Sequence, residues 1–278
     1  MILGAAPLCW LVLFLLAPIT ILLAWSLQPP GSSGPNLVAP SVVGYTEVLG
    51  EGAYGALFLK TILMSCTIAV LAVVLAFPIA YLLAFVAGPK RYILLGLAFV
   101  PSLVSYVLRI FAWRLILGED GLLNKALQGL GITDGPLSGL LYNRWTVIIV
   151  LTYVWVPWAV LPLFVRLDAI DRALFEASAD LGLPTLATVR RVILPLAVPG
   201  ALTAFFLVFI PTMGDFATAA YVGGTDGRMV GNLIQSLMSN LDLSTGSVLA
   251  ALVLAVAALT MLVAVRLIRI KDVTDVRI

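Results

Sequence analysis

Asp215 is an acidic residue in an otherwise apolar stretch, in the run Pro211-Thr212-Met213-Gly214-Asp215-Phe216. A charge within a membrane span is costly and tends to face the bundle interior or a water-filled cavity. The proline and glycine before it break a helix locally, so freed backbone carbonyls can join the carboxylate as ligands. On a helix rising from Leu196, Asp215 stands ~28 Å up, near the outer mouth. Two readings stay open. Asp215 either lines a substrate path, which would favour a cationic solute, or lies at the interface, capping a helix or hydrated. Trp113, Tyr153, Trp155 and Trp158 offer ring faces to an ammonium group. Trp and Tyr also gather at membrane interfaces for no catalytic reason. Arg109 and Arg114 fall ~25 Å or more up the third apolar stretch from Tyr92 and are expected to snorkel to the outer headgroups.

Charge is concentrated elsewhere, in the island Glu176-Ala177-Ser178-Ala179-Asp180-Leu181-Gly182. Read as a helix, Ile170, Leu174, Ala177 and Leu181 share one face, with Asp171, Arg172, Glu176 and Asp180 around the rest. Asp168 or Asp171 can cap its start, and Gly182 is a terminator. Pro184 then opens a second short helix, and Leu194-Pro195 closes the unit. This spacing predicts a compact helix–Gly–helix element held outside the lipid, where a partner protein grips the membrane part. Much other chemistry is excluded. The chain has no histidine, so it holds no Ser-His-Asp set and no H-E-x-x-H metal motif, and it has no G-x-x-x-x-G-K-[ST] phosphate loop. Cys9 and Cys66 sit in separate apolar runs, against a disulfide framework and against a soft metal site.

The elements that must position these residues follow from composition. The chain is 62% hydrophobic and 11% charged, where a soluble domain carries about 25% charged residues. Apolar runs long enough to cross a bilayer recur. The expectation is an all-α integral membrane protein with six transmembrane helices, near 2–27, 57–87, 92–117, 144–165, 196–222 and 247–268. Pro78 should bend the second span. The first span is too long and lacks the basic start of a signal peptide, so it reads as a retained helix; Met1 is read as a possible internal start. Residues 28–54 are loop-like, with Pro29, Pro30, Gly31, Ser32, Ser33, Gly34 and Pro35. Residues 118–143 carry a short helix near 122–130, 223–245 form a polar loop, and 269–278 form a charged tail. Ten of the sixteen basic residues fall on the side of the island, including Lys90, Arg91, Arg166, Arg172, Arg190, Arg191 and the tail. The positive-inside rule then puts the island and both termini in the cytoplasm. Dispersed basic residues give no nucleic-acid footprint.

The island also carries a family resemblance. Permease subunits of bacterial ABC importers have a cytoplasmic loop of the form E-A-A, three residues, G, nine residues, I-x-L-P. Glu176, Ala177, Gly182, Leu194 and Pro195 match in register, with Ser178 for the second alanine and Val192 for isoleucine. Lys60-Thr61 and Phe77-Pro78-Ile79-Ala80-Tyr81 are similar to the second span of these permeases. Arg109-Ile110-Phe111-Ala112-Trp113, Gly121-Leu122-Leu123-Asn124, Pro211-x-x-Gly214-Asp215-Phe216 and Gly223-Gly224 resemble the spermidine/putrescine importer subgroup. The resemblance covers about residues 45–265. It implies one permease domain over 1–278 with its core at 45–268, in the bacterial inner membrane. It also implies two ATPase subunits below, which hold ATP and magnesium while this chain holds no cofactor. A second permease, identical or homologous, and an external solute-binding protein complete the expected assembly in the bilayer. The coupling loop between spans four and five would be Glu176, Ala177, Ser178, Asp180, Gly182, Leu194 and Pro195, with Glu176 meeting donors on the ATPase. The chain itself would be no enzyme. Polyamines are the expected solute; relatives handle iron(III) or phosphonates. A secondary transporter is the other class, but it would carry its own coupling acids near the midplane, and only Asp215 competes for that role.

Overall fold

The computed structural model describes residues 2–29, 32 and 40–275, with side chains from Trp10 to Leu267 apart from Leu11 and the undescribed loop positions. Met1, the loop residues Pro30, Gly31, Ser33, Gly34 and Pro35, Arg277, and the side chains of Cys9, Arg269 and Lys271 lie outside that description. Every regular element described is helical: α1 (Ile2–Ser26), α2 (Val43–Gly50), α3 (Gly52–Tyr81), α4 (Arg91–Phe99), α5 (Tyr106–Leu117), α6 (Leu122–Gly129), α7 (Arg144–Asp168), α8 (Ala173–Asp180), α9 (Thr185–Thr188), α10 (Leu194–Met213), α11 (Val230–Ser239) and α12 (Leu243–Asp275).

The centre is a three-helix packing of α3, α7 and α10. In lipid, helices associate through close packing of small residues, because tails are as apolar as leucine. On α3, Ser65, Ala69, Ala72, Ala76 and Ala80 are buried at helical spacing. On α10, Ala197, Gly200, Ala204 and Val208 do the same. Gly200 is needed for the approach to α7: a Cβ there would lie 2.7 Å from Arg166 Cβ and 3.0 Å from the Pro162 carbonyl. The other faces carry exposed Leu63, Val70, Val74, Leu75, Ile149 and Leu207, the surface expected toward lipid. α1 packs along α12, and α2 packs there too through Val48 against Val248 and Leu249.

Among the described residues, four helices are long and apolar enough to cross a membrane: Gly52–Val86, Arg144–Asp168, Thr185–Met213 and Leu243–Leu267. A fifth follows if a bent pair counts as one span. In α1 the apolar helix with described side chains is the shorter Val12–Ser26.

The expected third span is where sequence and structure part. It is not one rod: Gly88–Leu103 and Tyr106–Gly129 meet at 79°. Pro101 lacks the N–H that would continue the ladder, and Val104 and Ser105 turn extended, at ψ 140° and 136°. Heights counted along a straight helix from Tyr92 therefore do not apply to Arg109 and Arg114. The fifth expected span also ends early: α10 stops at Met213, and after a break at 214–216 the chain forms a separate helical turn, π-helical over Ala219–Gly223. Pro199 and Pro211 stay inside α10, so of the three suspected interruptions only Gly214 ends the helix. Two stretches read as loops contain helices, α2 within 28–54 and α11 within 223–245. In the second span the α-helix runs through Pro78 and gives way to a π-helical turn, Leu82–Val86.

Candidate functional site

α8 forms a knuckle between α7 and α10. Asp171 Oδ1 accepts from the Ala173 N–H at 2.9 Å and so caps its start. Asp168 does not cap. It ends α7 and pairs with Arg91 at 2.5 Å, tying α4 to α7. Gly182 has φ +74°. There the Leu183 N–H donates to the Ser178 carbonyl at 3.0 Å and the Gly182 N–H to that of Ala179 at 2.8 Å, the double closure of a Schellman end. A Cβ on Gly182 would meet nothing within 4 Å of this chain, so backbone conformation, not crowding, calls for glycine. Pro184 precedes α9 as its cap residue instead of occupying its first position, and its carbonyl accepts from Ala187 and Thr188. Pro195 lies in the first turn of α10.

The buried face of α8 is not the one shared by Ile170, Leu174, Ala177 and Leu181. Phe175 meets Phe85 edge-on at 4.8 Å, and Ser178 is 5% exposed, its hydroxyl donating to the Leu174 carbonyl at 2.6 Å. Leu174 and Ala177 are exposed instead, and Leu181 and Leu186 are 81% and 80% exposed. Glu176 and Asp180 flank them, also exposed, as are Leu194 and Pro195 beyond. The aromatic seat outweighs the periodic leucines because Phe85, distant in sequence, supplies a ring for Phe175. The result is an anchored helix that presents leucines ringed by carboxylates.

The second candidate is Asp215. Its Oδ1 accepts from the Thr218 N–H at 3.0 Å, capping the turn after the break. Its Oδ2 accepts from the Tyr106 hydroxyl, which also lies 2.7 Å from Thr218 Oγ1. Arg109, one turn along α5, holds its guanidinium 5.9 Å over the Tyr106 ring, and its Nε is buried with no hydrogen-bond partner among the described residues. α11 begins against this break: a Cβ on Gly231 would stand 2.5 Å from the Asp215 carbonyl, and Asn232 Nδ2 donates to the Phe216 carbonyl at 2.5 Å. A cleft of about 430 Å³ adjoins it, bordered by Gly214, Phe216, Gln235 and Ser239. Capping is thus part of what Asp215 does.

Trp113 and Tyr153 meet at 5.4 Å between ring centres. Trp155, two residues on, points to the opposite side of α7 and packs against the core, its indole N–H without a partner among the described residues. Among the described residues no hydrogen bond or ring contact joins these three to Asp215. Nor do three His, Cys, Asp or Glu side chains gather where they could hold a metal. Sequence reasoning missed Tyr106 and Thr218. The Asp215-x-x-Thr218 spacing after Gly214 is a capping pattern and could have shown Thr218; nothing local points to Tyr106.

Residues 52–275 match the family described as the binding-protein-dependent transport system inner membrane component. The chain belongs to that family. It is a multi-pass membrane component of such a transport system. The spermidine/putrescine transport system permease protein PotB of Haemophilus influenzae is 32% identical over 227 residues, 82% of this chain and 79% of the relative. PotB of Escherichia coli is 31% identical over 232 residues, 84% of each chain. A putative 2-aminoethylphosphonate transport system permease of Salmonella typhi is 25% identical over 228 residues, 80% of this chain and 77% of the relative. Among solved structures, a chain of a bacterial alginate ABC transporter in complex with its periplasmic protein overlays with TM-score 0.76 at 14% identity, over 94% of this chain and 91% of that one. A chain of the MetNI methionine ABC transporter overlays with TM-score 0.56 at 18% identity, over 77% and 94%. At these identities the overlays speak for fold. In this transport component, α8 projects its exposed face away from the packed core while the Asp215 node joins two broken helices.

Proposed function

We propose that this chain is the permease subunit of an ATP-driven importer, a single permease domain over 1–278 with its core at 45–268. It crosses the bacterial inner membrane six times with both termini in the cytoplasm. It binds no cofactor and catalyses no reaction. ATP and magnesium act on two partner ATPase subunits, and a second permease, identical or homologous, completes the pathway. The observation that carries this is α8: a helix seated through Phe175 and closed by Gly182, with Leu174, Leu181 and Leu186 exposed beside Glu176 and Asp180. Apolar patches rimmed by polar side chains mark protein contacts. An ATPase groove that takes the leucines and offers donors to Glu176 and Asp180 would turn its own closure into a rigid-body movement of α7 and α10. The test is Gly182→Asp: solute uptake falls to background while the protein stays at parental level in the membrane. Undiminished uptake would refute the role.

A polyamine such as spermidine or putrescine is the solute we favour, delivered by an external binding protein. Support comes from the PotB relatives and from Asp215, a carboxylate at the break next to a mostly apolar cleft, which suits an ammonium chain with methylene spacers. Trp113, Tyr153 and Trp155 are further path candidates. A phosphonate is the second reading, favoured by the 2-aminoethylphosphonate relative. Uptake of radiolabelled spermidine against 2-aminoethylphosphonate and ferric iron separates them. Parental polyamine uptake in Asp215→Asn would remove Asp215 from the path.

A further inference from the structure

Two helix breaks in this chain, at 100–105 and at 214–216, are far apart in sequence and meet at one point. Tyr106 is the first residue of α5, just past the first break. Asp215 lies in the second, and Thr218 opens the turn beyond it. One phenol oxygen lies within hydrogen-bonding distance of both, as donor to Asp215 Oδ2 and as donor or acceptor with Thr218 Oγ1. Breaks are where a chain absorbs a change of φ and ψ at low cost, so a bond across two of them forces them to bend together. Thr218 is fully buried, the Asp215 backbone is packed under Gly231, and Tyr106 and Asp215 are half-buried, so the joint is partly shielded from competing water. Arg109 adds a second partner. Its Nε is buried and unsatisfied among the described residues, and its guanidinium already lies over the Tyr106 ring. A carboxylate released by Tyr106 would lose the partner of its Oδ2 in a partly desolvated site, which is unfavourable, and Arg109, one turn from Tyr106, is a cation that can take it.

We infer that Tyr106 is a positioning residue for transport: it latches the broken third span to the end of α10 through Asp215, and Arg109 receives Asp215 when the latch opens. The inference rests on the ATP-driven reading above. The latch sets how often the pathway cycles without solute, whereas a path carboxylate sets how well solute binds.

The experiment uses the full transporter, purified with its ATPase, partner permease and binding protein and reconstituted in liposomes. ATP hydrolysis is read with and without spermidine-loaded binding protein. For Tyr106→Phe, which removes one hydroxyl, solute-free hydrolysis should rise about tenfold, the scale of a lost hydrogen bond to a charged acceptor, while the KM for solute stays at the parental value. Arg109→Gln removes the receiver of the open state and should lower both the solute-free and the stimulated rate. In the double variant Tyr106→Phe/Asp215→Asn, solute-free hydrolysis should be no higher than in Tyr106→Phe alone. Parental solute-free and stimulated rates in an intact Tyr106→Phe complex would overturn the latch. A changed KM with parental solute-free hydrolysis would overturn it too and assign Tyr106 to solute binding. Failure of any ATPase to assemble on the parental chain would instead sink the ATP-driven reading.

Discussion

The knuckle at α8 and the node at Asp215 both interrupt the long helices, but they are held by opposite kinds of contact. At the knuckle the closing bonds span two to five residues: Asp171 to Ala173, Ser178 to Leu183, Ala179 to Gly182. At the node the decisive bond joins residues 109 positions apart. The knuckle leaves its leucines and carboxylates exposed, while the node buries its polar atoms against one another. A locally closed element keeps its shape when a partner pulls on it. An element closed by one long-range bond can have two states. The contrast fits a handle at one end of α10 and a hinge at the other.

The largest expected effect is at the handle. Gly182→Val places a β-branched residue at φ +74°, where L side chains are strained by roughly 1–2 kcal/mol or more, and should open the Schellman end. Uptake should fall at least tenfold with little change in membrane level, read by labelled-solute uptake and immunoblot. Parental uptake would show that the turn tolerates redrawing and weaken the contrast. Next is Phe175→Ala. Beyond its area, the aromatic pair with Phe85 is worth about 0.5–1.5 kcal/mol, so uptake should drop several-fold. A double-mutant cycle with Phe85→Ala should show coupling of that size, and zero coupling would mean α8 is seated by something else.

Smaller effects belong to the hinge. Thr218→Val removes a buried hydroxyl and leaves the Tyr106 phenol one partner short, a loss of about 1 kcal/mol. The thermal midpoint of the purified protein should fall by a few degrees. An unchanged midpoint would mean that the node contributes nothing to the fold. Smallest in stability is Leu181→Ser: an exposed side chain usually changes stability by less than about 0.5 kcal/mol. Its predicted signature is reduced co-purification of the ATPase at unchanged midpoint. A clear destabilisation would mean that Leu181 packs within this chain and not against a partner.

What was legible depended on range. Gly182, Asp171 and the four long apolar helices are written in neighbouring residues. Asn124 shows the limit: its motif Gly121-Leu122-Leu123-Asn124 was visible, its work was not. It is buried and bridges the Gly118 carbonyl at 3.0 Å and the Leu137 N–H at 2.9 Å, fixing α6 against the following loop. Which face of α8 is buried was not legible, because periodicity ranks leucines by hydrophobicity alone. It cannot know that Phe85 would be waiting for Phe175.

By itself the sequence determined that the chain is helical and lipid-embedded, where its knuckle turns, and that Asp215 had to be accounted for. These follow from transfer of side chains into lipid and from backbone preferences, both of which act within a few residues. Only the tertiary structure decided that the third span breaks by 79°, which face of α8 is left bare, and that Tyr106 closes on Asp215. Those outcomes depend on which distant side chains arrive at the same place, and hydrophobic pattern carries no information about that.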